Sequence, residues 1–147
     1  MRKVYICSPY RAKDGAELDR NIDYAQQLTR QALEAGLAPI TPHLYMTQCM
    51  DDKKPEERAR GMAAGLALLK GCDFVIVGVK YGITEGMDRE IHTANMLGIW
   101  NTRKSDRSGR RAITQSCIAA SFVVAANYIA ARATIAESRT DGLMSMP

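Results

Sequence analysis

"DFVIVGVKYGITEGMDREI", residues Asp73 to Ile91, decides the fold of this chain. Its first half is a continuous apolar run, the signature of a strand that a parallel sheet buries on both faces. Its second half changes character. Gly82 and Gly86 permit positive φ or a close backbone approach, and the Thr84 hydroxyl can cap a helix or meet a phosphate. The spacing predicts a helix from about Gly86 to Leu97, stopped by Gly98. Glu90 then falls one turn inside that helix, facing back toward the end of the strand, as either a chemical reagent or a solvated helix residue.

The same strand, loop and helix order extends toward the N-terminus. "KVYICS" (residues 3–8) is rich in β-formers and ends at Pro9, and the polar loop "YRAKDGAE" follows. Ile22, Ala25, Leu28, Ala32 and Leu33 then recur at helical spacing, from about Leu18 until Gly36. "LAPIT" reads as a short second strand closed by Pro42, and "PHLYMTQCMDDKK" as a long connection. Pro55 opens another helix, with Glu56 and Glu57 complementing its dipole and Lys70 and Gly71 at its end. A short strand, "IWNT", follows the quoted segment. The order βαβαβαβ predicts one α/β domain: a single doubly wound, mainly parallel sheet with flanking helices, Rossmann-like or flavodoxin-like, with right-handed crossovers. Residues 1–102 form its core, 103–137 a basic loop and a C-terminal packing helix of the same domain, and 138–147 a frayed tail.

With 147 residues, 46% of them apolar and 24% charged, one ordinary domain with a real core is expected. The formal charge is +4, but the excess gathers in "RKSDRSGRR", Arg103 to Arg111. No basic helix and no basic stripe interleaved with aromatics appears, so an anionic small molecule is favoured over nucleic acid as a partner. The four cysteines, Cys7, Cys49, Cys72 and Cys117, are far apart without CxxC or Cys/His spacing, and read as reduced thiols. The apolar run in "MRKVYICSPY" is too short for a signal peptide. Residues 112–136 are long enough for a membrane span, but Gln115, Ser116, Ser121, Asn127 and Arg132 make a buried or subunit-packing helix the better reading. A cytoplasmic protein without membrane contact is expected.

In open parallel sheets, ligands bind beyond the carboxyl ends of the strands, where loops meet helix N-termini. Three segments end there: "CSPYRAKDG", "PHLYMTQCMDD" and "KYGITEGMDRE". They bring Ser8, Pro9, Tyr10 and Arg11, then His43 and Tyr45, then Gly82, Thr84, Gly86, Met87 and Glu90 to one edge, a set suited to a phosphorylated or glycosylated small molecule. The pattern of a P-loop, of GxGxxG and of a serine nucleophile elbow is absent, so their chemistries lose their warrant. His43 and His92 are too isolated for a metal site, His92 reading as an exposed helix residue, and neither metal nor cofactor is expected.

"KVYICSPYRA", "RNIDYA", "PITPH", "PEERARGMAAGLALLKGCD" and "GITEGMDREIHTA" together resemble the nucleoside 2-deoxyribosyltransferase-like proteins of phages and bacteria. The match spans roughly Lys3 to Trp100, and its order and spacing are more specific than any single piece. Behind that branch stand the nucleoside 2-deoxyribosyltransferases and deoxynucleoside monophosphate N-glycosidases, which cleave the bond between a base and deoxyribose C1′ through a glutamate oriented by a tyrosine. The resemblance places that glutamate on Glu90 and that tyrosine on Tyr5. It places a hydroxyl residue near the 5′-phosphate on Thr84 and an arginine on Arg11.

Cleavage develops oxocarbenium character at C1′, which a carboxylate below the sugar can trap, while the leaving base needs a proton. The family's acid, an aspartate, falls on Gly65, where no proton donor exists; Asp51 or Asp52 in the second loop are the candidate substitutes. The resemblance therefore implies hydrolysis or transfer at the N-glycosidic bond of a nucleotide or nucleoside. Gly65 motivates the alternative, a non-catalytic nucleotide or nucleotide-sugar binding protein that senses or sequesters its ligand. Relatives whose subunits complete one another's pockets imply a homo-oligomer, a dimer or larger.

Overall fold

The computed structural model describes residues 1–104. The alanine-rich helix, the tail, Cys117 and all but the first two residues of the basic loop lie outside the described residues. Strands β1 (Lys3–Cys7), β2 (Ala38–Ile40), β3 (Phe74–Gly78) and β4 (Trp100–Lys104) form one sheet in the order β2-β1-β3-β4. Every pairing is parallel, with Tyr5 opposite Ile40 on one side and opposite Val75 on the other. Helices α1 (Gly15–Glu34), α2 (Pro42–Cys49), α3 (Pro55–Lys70) and α4 (Glu85–Met96) connect the strands. The expected single doubly wound α/β layer is the observed fold.

The two central strands are buried almost throughout, β3 without exception, as their continuous apolar runs require. Alternation along them separates two faces. Tyr5, Cys7, Val75 and Val77 pack with Leu69 and Cys72 at the end of α3 and with Met87, Ile91 and Ala94 of α4. Gly78 points the other way, against Tyr24 and Leu28 of α1. Asp73 joins the strand starts, its carboxylate accepting from the Lys3 amide at 2.6 Å and its own amide donating to the Lys3 carbonyl at 2.9 Å.

Two elements differ from the sequence expectation. Helix α1 begins at Gly15, ahead of the first periodic apolar residue, because its start is set by polar caps. The Asp14 carboxylate accepts from the Glu17 amide at 2.8 Å, while the Glu17 carboxylate accepts from the Lys13 amide at 2.9 Å. The expected long connection after β2 contains helix α2, opened by Pro42 at a position where its missing N–H costs nothing. The Thr41 hydroxyl, hydrogen-bonded to Thr29 at 2.7 Å, ties the entry of α2 to α1.

Gly78 marks where α1 approaches the sheet too closely for a side chain. A Cβ there would lie 2.6 Å from Leu28 Cδ1 and 2.8 Å from Tyr24 Cε1, both in buried side chains. Gly78→Ala is expected to lower the unfolding free energy by about 1–3 kcal/mol, measured by chemical denaturation; an unchanged midpoint would mean that α1 yields without cost.

Candidate active site

The parallel register carries Tyr5 to the middle of the sheet on the face that α3 and α4 cover, and the capped start of α4 carries Glu90 to the same place. The Thr84 hydroxyl accepts from the Met87 amide at 3.4 Å, and the Met87 sulfur accepts from the Thr84 amide at 3.5 Å. This double cap fixes the first turn of α4 and so the direction of Glu90. The Tyr5 hydroxyl donates to Glu90 Oε1 at 2.7 Å. Glu90 is therefore not a solvated helix residue.

Burial pushes the Glu90 carboxyl above its ordinary range, and hydrogen bonds from Cys7 and Tyr5 pull it partly back. Burial, and then the charge of Glu90, hold the Tyr5 phenol far above its usual value, so it remains a proton donor. The Cys7 thiol is raised for the same two reasons and also lies 3.9 Å from the Met87 carbonyl. The carboxyl thus sits in a partly desolvated place where burial outweighs the hydrogen bonding that favours its charged form, with the Tyr5 hydroxyl as its donor and no compensating cation beside it.

Two hollows meet at Glu90. The first, about 530 Å³ out to its open mouth, runs between α2 and α3 past His43, Met46, Met50, Gly61, Met62 and Gly65 to Asp52, Glu57 and Arg58. The second, about 580 Å³, is bordered by Ser8, Tyr10, Arg11, Thr84, Gly86 and Met87. His43 and Arg58 border both. The second hollow has the free amides at the start of α4 on one side and the Arg11 side chain on the other, an anion-favouring environment. The first is mainly apolar, apart from its far end.

Most residues expected at the sheet edge come together here. Ser8 Oγ lies 2.9 Å from His43 Nε2, and the Tyr10 and His43 rings are 6.1 Å apart. Pro9 is buried and borders neither hollow, and Gly82 is an exposed turn residue with φ +87° that also borders neither. Asp51 borders a separate depression, where its carboxylate accepts from the Lys53 amide at 3.0 Å. Asp52 borders the first hollow and accepts from Arg58 at 2.7 Å. His92 is exposed, as expected, and Cys49 is exposed while Cys7 and Cys72 are buried. Among the described residues no cluster of His, Cys, Asp and Glu is arranged to hold a metal, and no helix is long and apolar enough to cross a membrane.

A family model matches residues 2–120, a domain of unknown function (DUF7768). The chain belongs to the DUF7768 family. No curated protein matches it. Among solved structures, this DUF7768 chain is similar to a 2-deoxyribosyltransferase from the psychrotolerant bacterium Bacillus psychrosaccharolyticus. The TM-score is 0.55 at 15% sequence identity, with 78% of this chain and 81% of that chain covered. A likeness at that identity concerns the fold, and it agrees with the all-parallel sheet and its flanking helices.

Several residues of the site were not singled out in the sequence. Arg58, Gly61 and Met62 follow one face of α3 at helical spacing, together with Gly65, but only the neighbouring α2 turns that face into a wall. Asn21 reads as an ordinary helix residue, yet it is buried, and its amide donates to the carbonyls of Tyr10 and Arg11 at 3.3 Å each. It holds the loop that presents Arg11. Gly65 lies where the resemblance puts an acid: a Cβ there would stand 3.1 Å from the Tyr5 hydroxyl and 3.9 Å from Glu90 Oε1.

Burial lowers the His43 imidazole to about 4, so it is neutral at physiological pH. The unfolded chain, with an ordinary histidine near about 6.5, binds this proton more readily. Stability from this group is therefore present above that value and is lost as pH falls toward 4. His43→Gln is expected to flatten the fall of the melting temperature between these limits; an equally steep fall in the variant would contradict a neutral, half-buried imidazole.

Proposed function

We propose that this protein hydrolyses or transfers the N-glycosidic bond of a nucleotide or nucleoside, with Glu90 as the nucleophile and Tyr5 as the residue that orients it. The observation that carries the reading is the 2.7 Å hydrogen bond between them at the junction of two hollows. One carboxylate oxygen is engaged by Tyr5, which leaves the other to attack C1′. As the Glu90 oxygen bonds to C1′, the C1′–N bond breaks and its electron pair leaves on the base nitrogen. Of the two candidate acids only Asp52 borders the same hollow, and it is engaged as an acceptor by Arg58. The base then takes its proton from water at the open mouth. Attack on C1′ by a water molecule, or by the nitrogen of a second base, releases Glu90 as a carboxylate.

The hollow at the start of α4 suits a 5′-phosphate, with Arg11, Thr84 and Gly86 as its partners. A homo-oligomer and a cytoplasmic location belong to the same reading. The likeness to a 2-deoxyribosyltransferase supports it at the level of the fold. Gly65 favours a second reading, binding without turnover, because the side chain nearest the leaving base on α3 has no proton to give.

Glu90→Gln keeps the size and the Tyr5 contact of the residue but not its nucleophilicity. In a panel of deoxynucleotides and deoxynucleosides assayed for base release, this variant is expected to lose at least roughly a thousandfold in rate. Recovery of every ligand intact from the wild-type protein would favour binding without turnover.

The nucleophile must be ionised, so the rate is expected to fall as pH drops through the raised Glu90 value. That acidic limb should lie above the ordinary glutamate value of about 4.3. Tyr5→Phe removes a hydrogen bond that lowers the carboxyl, and is expected to shift the limb further upward while reducing kcat. A downward shift, or none, would contradict the assigned role of Tyr5.

A further inference from the structure

The first hollow has a definite shape. Tyr5 and Glu90 form one end and the Asp52–Arg58 ion pair the other. Between Gly65 and Arg58 the α3 wall runs seven residues, about 10 Å at the rise of an α-helix. Gly61 and Gly65, one turn apart, add no side chain to that wall, and Met62 lies beside them on it. A Cβ built on Gly61 has no atom within 4 Å, so it would project into empty space. The opposite wall carries Met46 of α2 and Met50, the residue just past the end of that helix. The thioethers of Met46, Met50 and Met62 around two positions without side chains make a slot suited to a flat, polarisable ring.

The far end supplies complementary polarity. Asp52 presents carboxylate oxygens, which accept; Arg58 presents guanidinium N–H groups, which donate, and the pair is only partly exposed. A heterocycle edge with a donor beside an acceptor matches this pair, as the six-membered ring of adenine or guanine does. A base reaching that pair from C1′ at Glu90 must cross the whole glycine-floored section, which two fused rings fill better than one.

Resting on the reading of Glu90 as the group that faces C1′, we infer that the slot selects purine over pyrimidine bases, with Gly61 as the determinant of ring size and Asp52 with Arg58 as readers of the distal edge. The helix interior is a costly place for glycine when nothing crowds the position. At Gly61 nothing does, so the missing side chain serves the space rather than the packing.

The test measures binding rather than turnover, using the full chain carrying Glu90→Gln so that no ligand is consumed. Calorimetric titration with 2′-deoxyadenosine, 2′-deoxyguanosine, 2′-deoxycytidine and thymidine, and with their 5′-monophosphates, gives the purine preference. It is expected to be at least about tenfold in Kd. Adding Gly61→Val should weaken purine binding by about tenfold or more while changing pyrimidine binding by less than about threefold. Gly61→Ala should raise the melting temperature, because alanine stabilises a helix and meets no neighbour, and should reduce the purine preference in the same direction. Arg58→Gln should also lower it. Equal affinity for both base classes, or equal losses for both in the Gly61 variants, overturns the inference. Failure of base release alone leaves this test readable, and Glu90-dependent release of pyrimidines at the purine rate would sink the inference while leaving the reaction intact.

Discussion

A carboxylate partly withdrawn from water with a phenol as its donor is the constraint on which the rest of this structure turns. Desolvation works against the charge of Glu90, and the hydrogen bonds from Tyr5 and Cys7 work for it. Had a lysine or arginine been its partner, the charge would be neutralised and its reactivity spent in an ion pair. The neutral Tyr5 hydroxyl instead holds the group in one orientation without pairing off its charge. The fold can be understood from that requirement. Tyr5 must come from the middle of the sheet, Glu90 from a helix whose start is fixed, and the space above them must stay open.

Each of these conditions has its own local cause. Parallel pairing of β1 with both β2 and β3 buries Tyr5 and aligns it with Val75, beneath α3 and α4. Reciprocal bonds between Thr84 and Met87 set where α4 begins. Gly65 keeps α3 close to the Tyr5 hydroxyl without touching it, and at Gly61 the adjoining wall has open space in place of a side chain. On the other side, Asn21 clasps the loop after β1, so Arg11 faces the same edge as the amides of α4. The result is one partly buried carboxyl between a mainly apolar slot and the hollow at the start of α4.

Much of the architecture was legible because its signals are local. The buried runs of β1 and β3, the Pro55 start of α3 and the Thr84 cap of α4 all lie where residue type and spacing put them. The start of α1 was not, because Asp14 and Glu17 set it by polar capping ahead of the apolar period. Helix α2 escaped because "PHLYMTQC" mixes apolar and polar residues without a clear helical face. At the site, the pairing of Tyr5 with Glu90 rested on the family resemblance, since residues 85 positions apart carry no spacing signal. Arg58, Gly61 and Met62 were visible as residues of a helix but not as a wall, because a wall needs the second helix opposite.

The central claim is that Glu90 attacks an anomeric carbon, and covalent trapping addresses it most directly. A 2-fluorinated deoxynucleoside or its 5′-phosphate slows breakdown of a glycosyl-enzyme relative to its formation, because fluorine opposes positive charge at C1′. After incubation with such purine and pyrimidine analogues, mass spectrometry of the intact chain and its peptides should find one sugar per chain, attached at Glu90, and free base in equal amount. Base release with the sugar on another residue, or turnover without any adduct in a quenched reaction while Glu90→Gln remains active, would contradict the account.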